Sequence, residues 1–239
     1  MVIQQRSEST YTIKAIDNMY TIEATVTKSG HVVAKWIDKI LRSCTSPPVV
    51  GLDIEWRPNG LYGDREENPV AVLQLCVGRS CLIFQLLHCD FIPDKLHNFL
   101  RNNHYRFVGV GVREDAQKLL RWYGLDVSSC ADDLRDLAAK KTGQLDMKQW
   151  GLQRLVRKFM GVDMEKPRSV QVSDWGRRVL EPEQIEYAVL DAFASFEVGR
   201  KLVDGKALNV ILEAFQALLR LLFVLVICMV IWVSILSHP

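Results

Sequence analysis

The stretch Val49–Trp56, VVGLDIEW, reads as a β-strand with two carboxylates in its middle. Side chains alternate along a strand, so Leu52, Ile54 and Trp56 point one way and Asp53 and Glu55 the other, with the two acids about 6.5–7 Å apart at Cα. The valine, leucine and isoleucine around them predict that the strand is buried. Two like charges on one half-buried face repel and lose hydration, and a divalent cation held by hard carboxylate oxygens would compensate both effects. Taken alone, the pair also fits an exposed sheet face that carries acids. With 16 Asp and 12 Glu in 239 residues such a triplet arises readily by chance, and another occurs at Asp64 and Glu66. That copy sits in a polar loop where solvated acids need no explanation.

Charge is almost balanced, with Lys+Arg 30 against Asp+Glu 28. No global basic field therefore points to nucleic acid, and any such surface must be local. The six cysteines contain no C-x-x-C pair, which predicts reduced thiols and no structural zinc site. The N-terminal residues lack an apolar core, so no secretory signal is expected. From Leu221 to Leu236 run 16 residues without a charge, just under the roughly 17 that a spanning helix needs. Three readings of this segment stay open: a membrane anchor, a hydrophobic helix packed on the domain or a partner, and a tail of no evolved function.

Outward from the opening strand, YTIKAI and YTIEATVT alternate around Asp17-Asn18 and predict a hairpin. Residues 31–42 carry an amphipathic helical pattern, and a polar loop covers 57–69. Two apolar strands are expected over 70–77 and 81–86, a short helix after Pro93, a strand over 106–112 and a helix from Glu114 to Tyr123 ended by Gly124. A short strand near 125–128 and helices near 132–140 and 148–160 follow. A last helix opens at Glu181-Pro182-Glu183 and runs to about Val203. Meander strands followed by helix–strand alternation imply a mixed α/β sheet covered by helices. The expected division is a tail over 1–10, a domain over 11–203 and a hydrophobic segment over 207–239.

Two further acids stand out. Tyr187 and Asp191 are four apart in the last helix and share a face beside an apolar stripe. Asp is a poor mid-helix residue, although a surface Asp beside a half-buried Tyr would look the same. Asp115 opens the helix after FVGVGVRED, where an acid also serves as a cap. Strand-to-helix junctions of α/β sheets are, in addition, where ligands gather.

Asp53-x-Glu55 in a first strand, Asp115 entering a middle helix and Tyr187-x-x-x-Asp191 in the last helix together resemble the DEDD exonucleases of the tyrosine subtype, in the Werner syndrome exonuclease-like group. NPVAVLQLCVGRSCLIFQL and WGLQRLVRKFMGVDMEKPRSVQVSDWGRRVLEPEQIEYAVLDAFASFEV extend the likeness over residues 10–203. In the histidine subtype a His would stand at the position of Glu186. The resemblance implies a ribonuclease H-like fold with a five- to six-stranded mixed sheet, and 3′→5′ hydrolysis of nucleic acid to nucleoside 5′-monophosphates with two Mg²⁺ or Mn²⁺ ions. Asp53, Glu55, Asp115 and Asp191 would be the metal ligands and Tyr187 would orient the attacking water. Trp56, Arg57, Lys166, Arg168, Arg177 and Arg178 are candidate substrate contacts, since aromatic faces stack bases and basic side chains meet phosphates. DNA is favoured over RNA as the substrate, in the nucleus or cytoplasm. A homo-oligomer, a helicase partner and a membrane tether through 221–236 stay open, as does a catalytically silent scaffold on the same fold.

Overall fold

The structure, a computed structural model, describes residues 2–7, 9–16, 18–43, 49–57, 68–127 and 129–203. The acid-bearing stretch forms β4 (Val49–Trp56), antiparallel to β5 (Val70–Val77) on one side and parallel to β7 (Arg106–Gly109) on the other. β5 pairs with β6 (Ser80–Phe84), and β6 runs parallel to β3 (Tyr20–Thr27). Antiparallel β2 (Thr10–Ala15) and β1 (Val2–Gln5) follow β3, while β8 (Ala131–Asp133) closes the other edge. The sheet has eight strands in the order β1-β2-β3-β6-β5-β4-β7-β8, a mixed α/β architecture with β4 inside it.

The eight strands exceed the expected five or six, and sequence patterning conceals two of them, β1 and β8. β1 lies within the expected tail; VIQQ is too short and polar to show alternation, and its ladder to β2 supplies the missing pairing. β8 reads ADD and replaces the strand expected at 125–128. Leu125 and Val127 are fully buried without joining the ladder, whereas Asp132 is neutralised by Arg106 at 2.6 Å and Asp133 by Arg135 at 2.6 Å. Ion pairing thus lets a carboxylate-rich segment take the edge position. β7 stops at Gly109 rather than at residue 112, because Gly111 turns into the left-handed region at φ 80° and starts the next helix.

The two faces of the sheet bury different material. Leu52 and Ile54 of β4, with Leu73, Leu75, Leu82 and Phe84, pack against Val33, Trp36 and Ile37 of α1 (Gly30–Ser43), Phe99 of α2 (Asp94–Arg101) and Leu119 of α3 (Val112–Tyr123). The opposite face, which carries Gly51, Asp53 and Glu55, lies under the long final helix α7 (182–203). Between them in sequence come α4 (Leu134–Thr142), α5 (Leu152–Met160) and the short α6 (Arg168–Gln171). Cys76 and Cys81, cross-strand partners on the β5–β6 hairpin, are joined as a disulfide, which corrects the expectation that all six cysteines are reduced; facing positions in a ladder bring two thiols together with no sequence motif to announce it. Most of the loop 57–69 and the whole hydrophobic segment 207–239 lie outside the described residues, among which no helix is long and apolar enough to cross a membrane.

Gly51 fixes how closely α7 approaches. A Cβ there would strike the backbone carbonyl of Ala192 and stand 2.6 Å from the backbone nitrogen of Phe196, and helix backbone does not move aside as a flexible side chain would. Gly51→Ala is therefore expected to lower stability by about 3 kcal/mol, the upper end for an overpacked core, measured as a shift in the urea midpoint at unchanged m-value.

Candidate active site

β4 presents Asp53 and Glu55 to the α7 face, and α7 brings Asp191 against them. One carboxylate oxygen from each of the three falls within 4.8 Å of the others. Asp191 is fully buried, Glu55 is 9% exposed and Asp53 is partly covered. Tyr187, one helical turn before Asp191, is 5% exposed and leans its ring on that of Trp175 at 5.8 Å. Asp115 enters from the first turn of α3, 8% exposed. Its position depends on Asp133, which accepts a hydrogen bond from the Gly111 N–H at 3.0 Å and also caps α4 through the Arg135 N–H at 2.8 Å. An Asp at the end of β8 thereby locks the entry of the helix that carries Asp115.

Asp53, Glu55, Asp115 and Tyr187 line one cleft of about 390 Å³, with Trp56, Lys166, Gln153, Gln171 and Ser195. Asp191 lies beneath its floor. Burial, then the repulsion of Asp191, Glu55 and Asp115, pushes the Asp53 carboxyl well above the usual carboxylate range, and burial and Asp191 do the same to Glu55. Burial raises Asp115 to about 7, with Lys118 opposing. Asp191 is raised by burial against the pull of Lys166. Burial works against the charge on Lys166, yet Asp191 and Asp53 hold its pKa above the ordinary lysine value. Lys166 Nζ stands 2.7 Å from Asp191 Oδ2 as an ion pair. Burial likewise raises the Tyr187 phenol, with Asp191 adding to it, so this hydroxyl stays protonated at neutral pH.

Among the described residues, the buried side-chain polar atoms that make no hydrogen bond are both amide atoms of Gln74, Tyr187 Oη and both oxygens of Asp191. Buried polar groups are normally satisfied, so such atoms mark an arrangement shaped for something besides the fold. Three hard-oxygen ligands within 4.8 Å of one another, with the Asp191 oxygens making no hydrogen bond and all three pKa values raised, fit one or more divalent cations of the Mg²⁺ or Mn²⁺ type.

Of the basic and aromatic residues singled out from sequence, Trp56 and Lys166 reach the cleft. Lys118 Nζ lies 3.3 Å over the Trp56 ring, so one ring face is already covered. The other four do not line the cleft: Arg57 pairs with Asp174 at 3.3 Å, Arg177 with Glu181 at 2.6 Å, Arg178 borders a separate hollow and Arg168 is exposed at the start of α6. Sequence reasoning passed over Lys118, Ser195, Gln153 and Gln171. Lys118 is three residues from Asp115 and Ser195 four from Asp191, spacings that put each pair on one helical face; the two glutamines carry no comparable signal.

A family model described as 3′-5′ exonuclease matches residues 27–205, and the chain belongs to that family. A 3′-5′ exonuclease of Arabidopsis thaliana is 34% identical over 156 residues, 65% of this chain and 52% of the relative. The bifunctional 3′-5′ exonuclease/ATP-dependent helicase WRN of Mus musculus is also 34% identical, over 64% of this chain and 11% of its own. The chain thus spans about half of the first relative and about a tenth of the second. Among solved structures, RNase D of Escherichia coli, an exoribonuclease involved in structured RNA processing, shares the fold at a TM-score of 0.63 and 22% identity, over 83% of this chain and 49% of that one.

The raised pKa values set a pH dependence. The folded state favours the protonated acids, so it holds more protons than the unfolded chain between the ordinary carboxyl range near 4 and the folded values, about 7 for Asp115. That contribution is fully present at the acid end of the window and is lost as pH rises through it. In chelator, the melting temperature is expected to fall between about pH 5 and about pH 8. Millimolar Mn²⁺ is expected to reverse the fall; thermal melts across that range check both.

Proposed function

We propose that this chain removes nucleoside 5′-monophosphates from the 3′ end of a nucleic acid strand, with DNA as the preferred polymer. The observation that carries this reading is the cluster of Asp53, Glu55 and Asp191 at the base of a cleft, in a chain that belongs to a 3′-5′ exonuclease family. Asp53, Glu55 and Asp191 would hold one divalent ion, with Asp115 supporting a second. Bound divalent ions lower the pKa of water and neutralise charge on a phosphoryl group in flight.

The remaining work falls to the chain itself. Tyr187, protonated and held against Trp175, offers a hydroxyl that orients the attacking water rather than taking its proton. Lys166, already at the cluster, supplies a cation for a phosphate oxygen. The N-terminus of α5 opens on the same cleft at Gly151–Gln153, adding the positive end of a nine-residue helix dipole toward the phosphate backbone. Trp56, where it borders the cleft, would offer a terminal base an aromatic surface on which to stack.

Incubation of 5′-labelled DNA and RNA strands of one sequence with protein and Mn²⁺ tests the reading. A ladder shortening from the 3′ end, faster on DNA, is expected, and no ladder on either polymer would overturn it. Asp53→Asn is expected to lower the rate by about 10³-fold, since a charge-stabilising ligand contributes several kcal/mol in the transition state. Tyr187→Phe keeps the ring packing and is expected to lower kcat about 10-fold with little change in KM, as loss of a positioning contact does.

A further inference from the structure

Gln74 has no role in the site so far described, yet it is the most anomalous residue near it. It lies on β5 directly opposite Asp53 in the antiparallel β4–β5 register. Residues facing each other in such a ladder project from the same side of the sheet, with Cβ atoms about 4.5–5.5 Å apart. Gln74 therefore shares the α7 face with the carboxylates. It is fully buried, and neither its amide nitrogen nor its amide oxygen has a hydrogen-bond partner. Its strand neighbours are all buried and, apart from Gln74 itself, all apolar: Val70, Ala71, Val72, Leu73, Leu75, Cys76 and Val77. A leucine or methionine would suit the strand better, because an unsatisfied buried amide opposes folding while an apolar group of the same shape does not.

A polar group that weakens the metal-free fold and stands beside an acid cluster with orphaned oxygens of its own has its use in another state of that cluster. We infer that Gln74 is a positioning residue for Asp53: its amide N–H₂ donates to a carboxylate oxygen of Asp53 once that side chain turns to hold a cation, fixing the ligand's orientation. Outer hydrogen bonds of this kind orient ligating carboxylates and sustain their affinity for metal. The inference rests on the metal-site reading proposed above.

The test is Gln74→Met, which keeps length and volume and removes both polar atoms, with Gln74→Leu as a second variant of different shape. Melting temperature in chelator is read against Mn²⁺ affinity from calorimetric titration of the full chain. The expected result is opposite movement of the two: the metal-free melting temperature rises by about 2–4 °C while Mn²⁺ affinity falls about 10-fold. Unchanged Mn²⁺ affinity in both variants, or a lower metal-free melting temperature in both, overturns the inference, since either result makes the amide merely structural. Wild-type protein that binds no Mn²⁺ would remove the metal-site reading and this one with it, a result distinct from binding that the variants leave intact.

Discussion

Three carboxylates gathered where helix α7 meets the sheet are the constraint around which this chain is organised. Asp53, Glu55 and Asp191 come within 4.8 Å of one another, with Glu55 and Asp191 buried and Asp53 partly covered. Each is disfavoured in its charged form by burial and by the others. Among the described residues Lys166 reaches one oxygen of Asp191, while burial raises the proton affinity of Asp53 and Glu55. An arrangement that opposes folding in this way persists only if the surrounding structure over-determines it.

That over-determination is visible on both sides of the sheet. Behind β4, the aliphatic side chains of Leu52 and Ile54 are fixed in a core built with α1, α2 and α3. In front, α7 is pressed against Gly51 closely enough that a single methyl would meet its backbone. Asp133 locks the Gly111 turn from which Asp115 projects. The apolar core thus holds the polar site in place, and the site's acids sit on rigid strand and helix positions rather than on loops. Such rigidity is what metal-assisted phosphoryl chemistry requires, because its rate depends on prearranged charge.

Most of the scaffold could be read in order along the chain. β4 and β5 stand where alternation and apolar runs put them, and α1 and α3 where helical spacing and a terminal glycine put them. The exceptions share a cause. β1 and β8 owe their state to partners distant in sequence: a ladder to β2 for one, and ion pairs to Arg106 and Arg135 for the other. Local pattern carries no trace of either, and none of the disulfide between Cys76 and Cys81.

By itself the sequence determined which residues could form a site. Asp53 and Glu55 share a strand face, Tyr187 and Asp191 share a helix face, and these facts follow from backbone periodicity alone. Only the tertiary structure decided which groups meet. It brought Asp191 onto β4, drew Lys166 into the cluster, set Lys118 over Trp56, and left Arg57, Arg168, Arg177 and Arg178 outside the cleft. It also left the amide of Gln74 unpaired opposite Asp53. Periodicity fixes the direction of a side chain relative to its own element, while the distance between elements is set by long-range packing, here by α7 lying directly on Gly51.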